Sequence, residues 1–430
     1  MADDKKPKEQ QGLPEGWKWV RLGEVIEEVK ERNLSNDQLP LLTSSRKGIY
    51  LQDEYFNRIV ASENLSNYKV VRKGQFTYRS MSDDGTFVFN RLENIELGLV
   101  SPAYYVFQLI EGCSGNFLKY FINNSVEVKK QIYKYVEGTT RTALRFNQLK
   151  NFIVPLPPLP EQRKIAQILE TFDNAIEKTE KIIEKYKRIK QGLMQDLLTK
   201  GIDEKGNIRS EKTHKFKDSP LGRIPEEWEV GYVSDFAEIN PITKINPKEL
   251  YPFIEMDATP IMGKQCKYIT LRRGIEAGCK FKKGDILLAR ITPSAENGKA
   301  LLVPDNIEIG IGSTEFIVFR AKENIDNNFL FYLLTSDYVR SIAIGLMEGT
   351  SGRQRIPKYV FEKVIKVAIP KSESEQKRIA EILSQIDQAI EKEEKYKQKL
   401  ERLKKGLMED LLTGKVRVNK LLEGENHGMA

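Results

Sequence analysis

The side chains that carry most enzyme chemistry are scarce in this 430-residue chain: two histidines, His214 and His427, and three cysteines, Cys113, Cys266 and Cys279. Both histidines fall in segments that read as connector and tail, so acid–base or triad catalysis through histidine is not expected. The cysteines form no CxxC pair and cannot build a usual structural zinc site. No GxxxxGK[ST] phosphate loop occurs, because the Gly-Lys pairs at 263, 298 and 414 are followed by Gln, Ala and Val. No GxGxxG follows a strand, and Gly310-Ile-Gly312 alone is a weak signal. Asn240-Pro-Ile-Thr243 and Asn246-Pro-Lys-Glu249 are not the NPP[FY] motif of adenine methyltransferases. What remains is the chemistry of contact. Lys and Arg number 69 against 61 Asp and Glu, a net charge of +8, which permits a nucleic-acid partner without requiring one.

The elements that must position such contacts come in two copies. Glu161-Gln-Arg-Lys-Ile-Ala-Gln-Ile-Leu returns as Glu375-Gln-Lys-Arg-Ile-Ala-Glu-Ile-Leu, and sliding residues 161–199 by 214 gives 23 identities in 39 positions. Fainter echoes precede each copy: Leu13-Pro-Glu-Gly-Trp17 with Ile224-Pro-Glu-Glu-Trp228, Arg72-Lys-Gly with Lys282-Lys-Gly, and Glu137-Gly-Thr139 with Glu348-Gly-Thr350. The chain therefore uses one plan twice: a divergent domain, then a nearly unchanged helix.

Each repeated segment predicts a long helix. One apolar stripe runs through Ile165, Leu169, Phe172, Ile176, Ile183, Leu193 and Leu197. Its counterpart runs through Ile379, Leu383, Ile386, Ile390, Leu400, Leu407 and Leu411. Lys and Glu fill the other faces, as on a coiled coil. Pro155–Pro160 starts the first helix, and Ser372 or Ser374 caps the second. The divergent segments read as mixed α/β. Phe76–Arg79, Phe87–Phe89 and Ala103–Phe107 are β-rich, as are Ile286–Arg290, Ala300–Val303 and Phe316–Phe319. Helical stretches follow near Phe117–Tyr135 and Phe329–Leu346. The expected fold is two α/β (α+β) domains joined by two long antiparallel coiled-coil helices, a pseudo-twofold repeat. Its parts are a first domain over 1–155, a helix over 156–200, a connector over 201–223, a second domain over 224–370, a helix over 371–413 and a tail over 414–430. The cysteine usage, the start without an apolar stretch and the lack of a membrane span predict a cytoplasmic protein.

The stretches Pro157-Pro-Leu-Pro-Glu-Gln-Arg-Lys-Ile-Ala166 and Gly192-Leu-Met-Gln-Asp-Leu-Leu198, with their second copies, resemble the specificity (S) subunits of type I restriction–modification systems, the HsdS family. The entry motifs at Trp17 and Trp228 fit too. The second helix entry, Ile369-Pro-Lys-Ser-Glu-Ser-Glu375, departs by lacking the doubled proline. The resemblance implies two target recognition domains, each reading half of a bipartite, asymmetric double-stranded DNA site. It implies helices that act as spacer and dock two methyltransferase (M) subunits. S-adenosylmethionine would sit in the M subunits, ATP and magnesium in restriction (R) subunits, and no cofactor or catalysis in this chain.

The Gly-Thr regions lie near DNA in that family. The resemblance therefore makes Thr139, Thr140, Arg141 and Arg145 in the first domain, and Thr350, Ser351, Arg353 and Arg355 in the second, candidate DNA contacts. Arginine suits guanine, and Ser and Thr suit phosphate. Arg79 and Arg290, ending matched β-runs, join them, and Thr43–Lys47 is a further candidate loop. The lysines flanking the first helix read as coiled-coil flank charge. A protein-binding scaffold without a DNA role stays open at this point.

Overall fold

The computed structural model describes residues 12–56, 64–136, 142–350 and 352–426. The chain divides into two compact units, Met1–Glu180 with Lys395–Ala430, and Lys181–Glu394. Both long helices are present, Leu159–Leu197 and Glu373–Leu411, each of 39 residues. Each unit thus owns one globular domain, the N-terminal part of one long helix and the C-terminal part of the other.

In the first unit, β1 (Lys18–Arg21) pairs antiparallel with the strand that leads into the helix, Ile153–Leu156. An antiparallel sheet runs in the order β2 (Ile26–Val29), Tyr104–Leu109, β3 (Phe76–Arg79), Asn90–Arg91. The second unit repeats this. Trp228–Tyr232 pairs with Lys366–Pro370, and the sheet order is Ala237–Ile239, Phe316–Ala321, Ile286–Ala289, Ala300–Leu302. The expected helical stretches are each broken once. Gly115–Asn124 gives way to Val126–Val136, and Asn327–Leu334 to Asp337–Gly345. Ser125 and Ser336 restart the second helix of each pair by accepting the amide hydrogens of Val128 and Val339. Phe87–Phe89 is not a strand. The Asn123 side chain bonds both the N–H and the C=O of Phe89, at 2.9 Å each, in place of a ladder, and both phenylalanines are buried. The second long helix is capped by Ser372, whose Oγ accepts from Glu375 N at 3.4 Å.

The shared residues of the helices clamp each domain to the helix pair beneath it. In the first unit, Glu161 accepts the Trp17 indole N–H at 3.2 Å and a bidentate pair from Arg417 at 2.7 and 2.9 Å. In the second, Glu375 accepts the Trp228 indole N–H at 3.3 Å, the Ile202 amide at 3.2 Å and both Arg209 terminal nitrogens. Asp173 takes the Tyr120 hydroxyl at 2.6 Å and Lys404, while Asp387 takes Tyr332 at 2.8 Å and Lys190 at 2.6 Å. Gln162 bonds Ser114 N, Pro157 O and Gly112 O, and Gln376 bonds Asp326 N, Pro370 O and Asn324 O. The pairs Asp173–Lys404 and Glu180–Lys397 in one unit, and Lys190–Asp387 and Lys187–Glu394 in the other, make the helix segments antiparallel within each unit. Tight seating of the indole needs glycine. A Cβ on Gly201 would lie 2.6 Å from the Trp228 ring, and one on Gly414 would lie 3.1 Å from the Trp17 ring. Both glycines have left-handed φ.

The segments expected as connector and tail complete these clamps. Ile202 bridges Ile208, Arg209 is buried on Glu375, and Phe216–Ser219 pairs with Gly222–Pro225 as a hairpin. Val418 is buried in the first unit's core, and Asn419–Asn426 is helical. Their polar composition hid single anchoring residues. The apolar stripe ends in the same cores. Ile165, Leu169 and Leu411 lie in the first, and Leu197, Ile379 and Leu383 in the second. Phe172, Ile176, Leu193, Ile386 and Leu407 are half-buried, whereas Ile183, Ile390 and Leu400 are buried. Among the described residues, no helix is long and apolar enough to cross a membrane.

Candidate nucleic-acid interface

In the second unit, the strand Ile286–Ala289 hands the chain to Arg290, whose N–H bonds Glu315 O at 2.9 Å and whose C=O accepts from Ile356 N at 2.8 Å. Arg355 bridges Ile291 and exchanges two backbone hydrogen bonds with Glu348. That frame puts Arg290, Glu315 and Arg355 side by side. Arg355 donates Nη2 to Glu315 Oε1 at 2.8 Å and Nε to Oε2 at 2.9 Å, and Arg290 Nε reaches Oε2 at 3.4 Å. Two guanidinium groups share one carboxylate, so the cluster keeps a net positive charge. Thr350 and Arg353 are exposed on the adjoining turn, where Arg353 N bonds Thr350 O at 2.9 Å and Arg353 O accepts from Arg355 Nη1 at 3.3 Å.

The hydrogen bonds from Arg355 hold the Glu315 carboxyl below its ordinary value of 4.5, against its partial burial. A depressed carboxyl stabilises the fold at pH above its unfolded value and loses that contribution as pH falls through its folded one. Glu315→Gln is therefore expected to lower the unfolding midpoint at pH 7 and to leave it near wild type well below pH 4.5. A difference that persists undiminished in acid would exclude this ion pair as its source.

The first unit builds the same frame from other side chains. Ser80 N bonds Ala103 O at 2.9 Å, and Leu144 N bonds Ser80 O at 2.9 Å. The positions matching Arg290, Glu315 and Arg355 are thus Ser80, Ala103 and Ala143. Arg79 lies one residue earlier, exposed at the end of β3, and matches Ala289 rather than Arg290. Arg145 is exposed and starts the turn 146–149, its N–H bonded to Gln148 Oε1 at 2.8 Å. Thr139, Thr140, Arg141 and Ser351 lie outside the described residues. The expected 43–47 loop is a hairpin instead: Leu42–Ser45 pairs antiparallel with Gly48–Leu51, and Arg46 and Lys47 form its turn. There Arg46 pairs with Asp84, whose carboxyl is lowered to about 2 by the Thr86 amide, Ser82 and Arg46. The residues missed by sequence reasoning are the carboxylates Glu315 and Asp84. Neither stands in a motif, and only the strand register brings Glu315 to its arginines. Three of the helix flank cations are engaged: Lys187 on Glu394, Arg188 on Glu184, Lys190 on Asp387. Burial pushes the Cys113 and Cys279 thiols up to about 12, far from a thiolate nucleophile at neutral pH.

Known proteins share this plan. The family model described as the type I restriction modification DNA specificity domain matches residues 14–188 and again 225–402. The type I restriction enzyme MjaVIII specificity subunit of Methanocaldococcus jannaschii is 28% identical, over 96% of this chain and 96% of that protein. The putative MjaX specificity subunit of the same organism is 34% identical, over 67% of this chain and 66% of that protein. The crystal structure of the type I restriction–modification S subunit from M. genitalium shares the fold, with a TM-score of 0.56 at 14% identity, covering 95% of this chain and 99% of that one. With both globular domains and most of both helices inside the two matches, the chain belongs to the type I restriction–modification DNA specificity family.

Proposed function

We propose that this chain is the sequence-specificity subunit of a type I restriction–modification complex, with each domain reading one half of a bipartite, asymmetric DNA site. The observation that carries this reading is the contrast between frame and side chains. The two domains use the same backbone hydrogen bonds, yet one places Arg, Glu and Arg where the other places Ser, Ala and Ala. Different side chains on one scaffold suit two different half-sites. The clamp residues are alike in both units because each must hold its domain to the helices in one way. The remaining alike helix surface would serve two identical M subunits. Those would bring S-adenosylmethionine and methylate adenine, and R subunits would add ATP- and magnesium-dependent cleavage. The chain itself would contribute recognition and no bond-making step.

The test is the purified complex with its M subunits. Expected are methylation at a single two-part sequence and specific binding well above non-specific binding at matched salt. Methylation by the isolated chain, or binding indifferent to sequence, would sink the reading, the latter in favour of a protein scaffold.

In this reading the long helices also act as the spacer. Leu198 and Leu412 are buried in the domain cores. Lengthening must therefore be made mid-helix, at the unit boundaries after Glu180 and Glu394. Seven residues inserted at both places add about 10 Å while nearly keeping the apolar stripe in phase. At 3.4 Å per base pair the unread gap should grow by about three base pairs. Methylome sequencing reads the gap, and an unchanged gap in an active variant would show that the helices do not set it.

A further inference from the structure

The Arg290–Glu315–Arg355 cluster has a geometry that a plain surface ion pair would not need. A guanidinium has two edges with paired donors, one formed by Nε and Nη2, the other by Nη1 and Nη2. Glu315 occupies the first edge of Arg355 with two bonds of 2.8 and 2.9 Å. The Arg355 side chain is still 40% exposed, and Glu315 is 24% exposed beneath it. Arg290 reaches the same carboxylate from the neighbouring rung. A long, rotamer-rich side chain is thereby fixed before it meets a ligand, which lowers the entropy lost on binding.

We propose that Glu315 is a positioning residue for guanine recognition. By holding the Nε/Nη2 edge of Arg355, while Arg353 O takes one Nη1 hydrogen at 3.3 Å, it presents the second hydrogens of Nη1 and Nη2 as a fixed fork for the O6 and N7 acceptors of one guanine in the half-site read by the second unit. This rests on the DNA-reading function proposed above. The outer edge matches the two acceptors that guanine alone displays in the major groove. The second guanidinium keeps the cluster cationic, so the partly exposed carboxylate does not repel the phosphates nearby. In the first unit the same rungs carry Ser80, Ala103 and Ala143, which cannot form such a fork. The fork is therefore a property of one half-site.

The test uses the full chain with its M subunits, read by methylome sequencing and by binding to duplexes varied one base at a time. The half-site concerned is the one that survives exchange of the first domain. Three variants separate the roles. Glu315→Gln keeps the shape and removes the charge. Arg355→Lys keeps the charge and removes the fork. The triple variant R290S/E315A/R355A copies the side chains that the first unit already carries on this frame, so the fold has a precedent for it. Expected is a fall of about tenfold in the preference for guanine at one position with either single variant, its disappearance in the triple variant, and an unchanged other half-site. Full rescue by lysine, or a uniform loss across all sequences with a shallower salt dependence, would mark a phosphate contact and overturn the proposal. So would a wild-type half-site with no required guanine, or unaltered preferences in the triple variant. A wild-type complex with no sequence preference anywhere would instead overturn the DNA-reading function itself.

Discussion

Replacing Glu375 by alanine is expected to destabilise the second unit by about 3–5 kcal/mol, the cost of leaving a buried charge without its partner. Arg209 and Glu375 are each only 10% exposed along their side chains. Removing the carboxylate strands a guanidinium and deprives the Trp228 indole N–H and the Ile202 amide of their acceptor. Water reaches this place poorly, because Trp228 is fully buried and Gly201 closes against its ring. The matched change in the first unit, Glu161→Ala, should cost less, because Arg417 is 24% exposed and can turn toward solvent. Replacing Arg209 by methionine together with Glu375→Gln should recover part of the loss, since no charge is then left alone. Calorimetric unfolding of the full chain measures all three. A loss below about 1 kcal/mol for Glu375→Ala would put the pair in the class of surface bridges and refute the clamp.

Exchanging residues 1–155 for the first domain of another S subunit should convert one half of the methylated sequence completely and leave the other half untouched. The effect is large because specific recognition exceeds non-specific binding by factors of about a thousand or more. The clamps set a condition on the donor. It must bring an indole at the position of Trp17 to meet Glu161, a phenol at that of Tyr120 to meet Asp173, and backbone groups for Gln162. A donor that meets it should give a chimaera as stable as the parent. One that lacks the indole should bind less well at every sequence, a loss of stability rather than of reading. Methylome sequencing distinguishes the two. A change in both halves at once would end the model of two independent readers.

The long helices were legible in the sequence because a stripe at spacings of three and four, repeated 214 residues on, has no other simple source. The reason for their likeness was less legible. Glu161, Gln162, Asp173 and Lys190, with Glu375, Gln376, Asp387 and Lys404, look like ordinary helix-surface residues. In the structure they hold the chain's own domains. Arg209 and Arg417 were hidden among other charges, because burial of one arginine leaves no periodic mark. At the candidate interface the arginines were named by type. Their grouping depended on strand register, in which one position separates Arg79 from the true match of Arg290, and pattern reading cannot fix register to one residue.

The clamps also bear on the order in which a growing chain can close its structure. The second unit is one unbroken stretch, Lys181–Glu394. Its clamp joins residues 166 apart, Arg209 and Glu375, and every part has emerged before the last helix is finished. The first unit begins earlier yet ends later, since Glu161 must wait for Arg417, 256 residues downstream. The domain made first is therefore the domain completed last. Until the ribosome delivers residues 411–418, Trp17 and the apolar end of the first helix stand without Leu411, Leu412 and Val418. That exposed interval, set by contact order, is when the nascent chain most needs protection from aggregation.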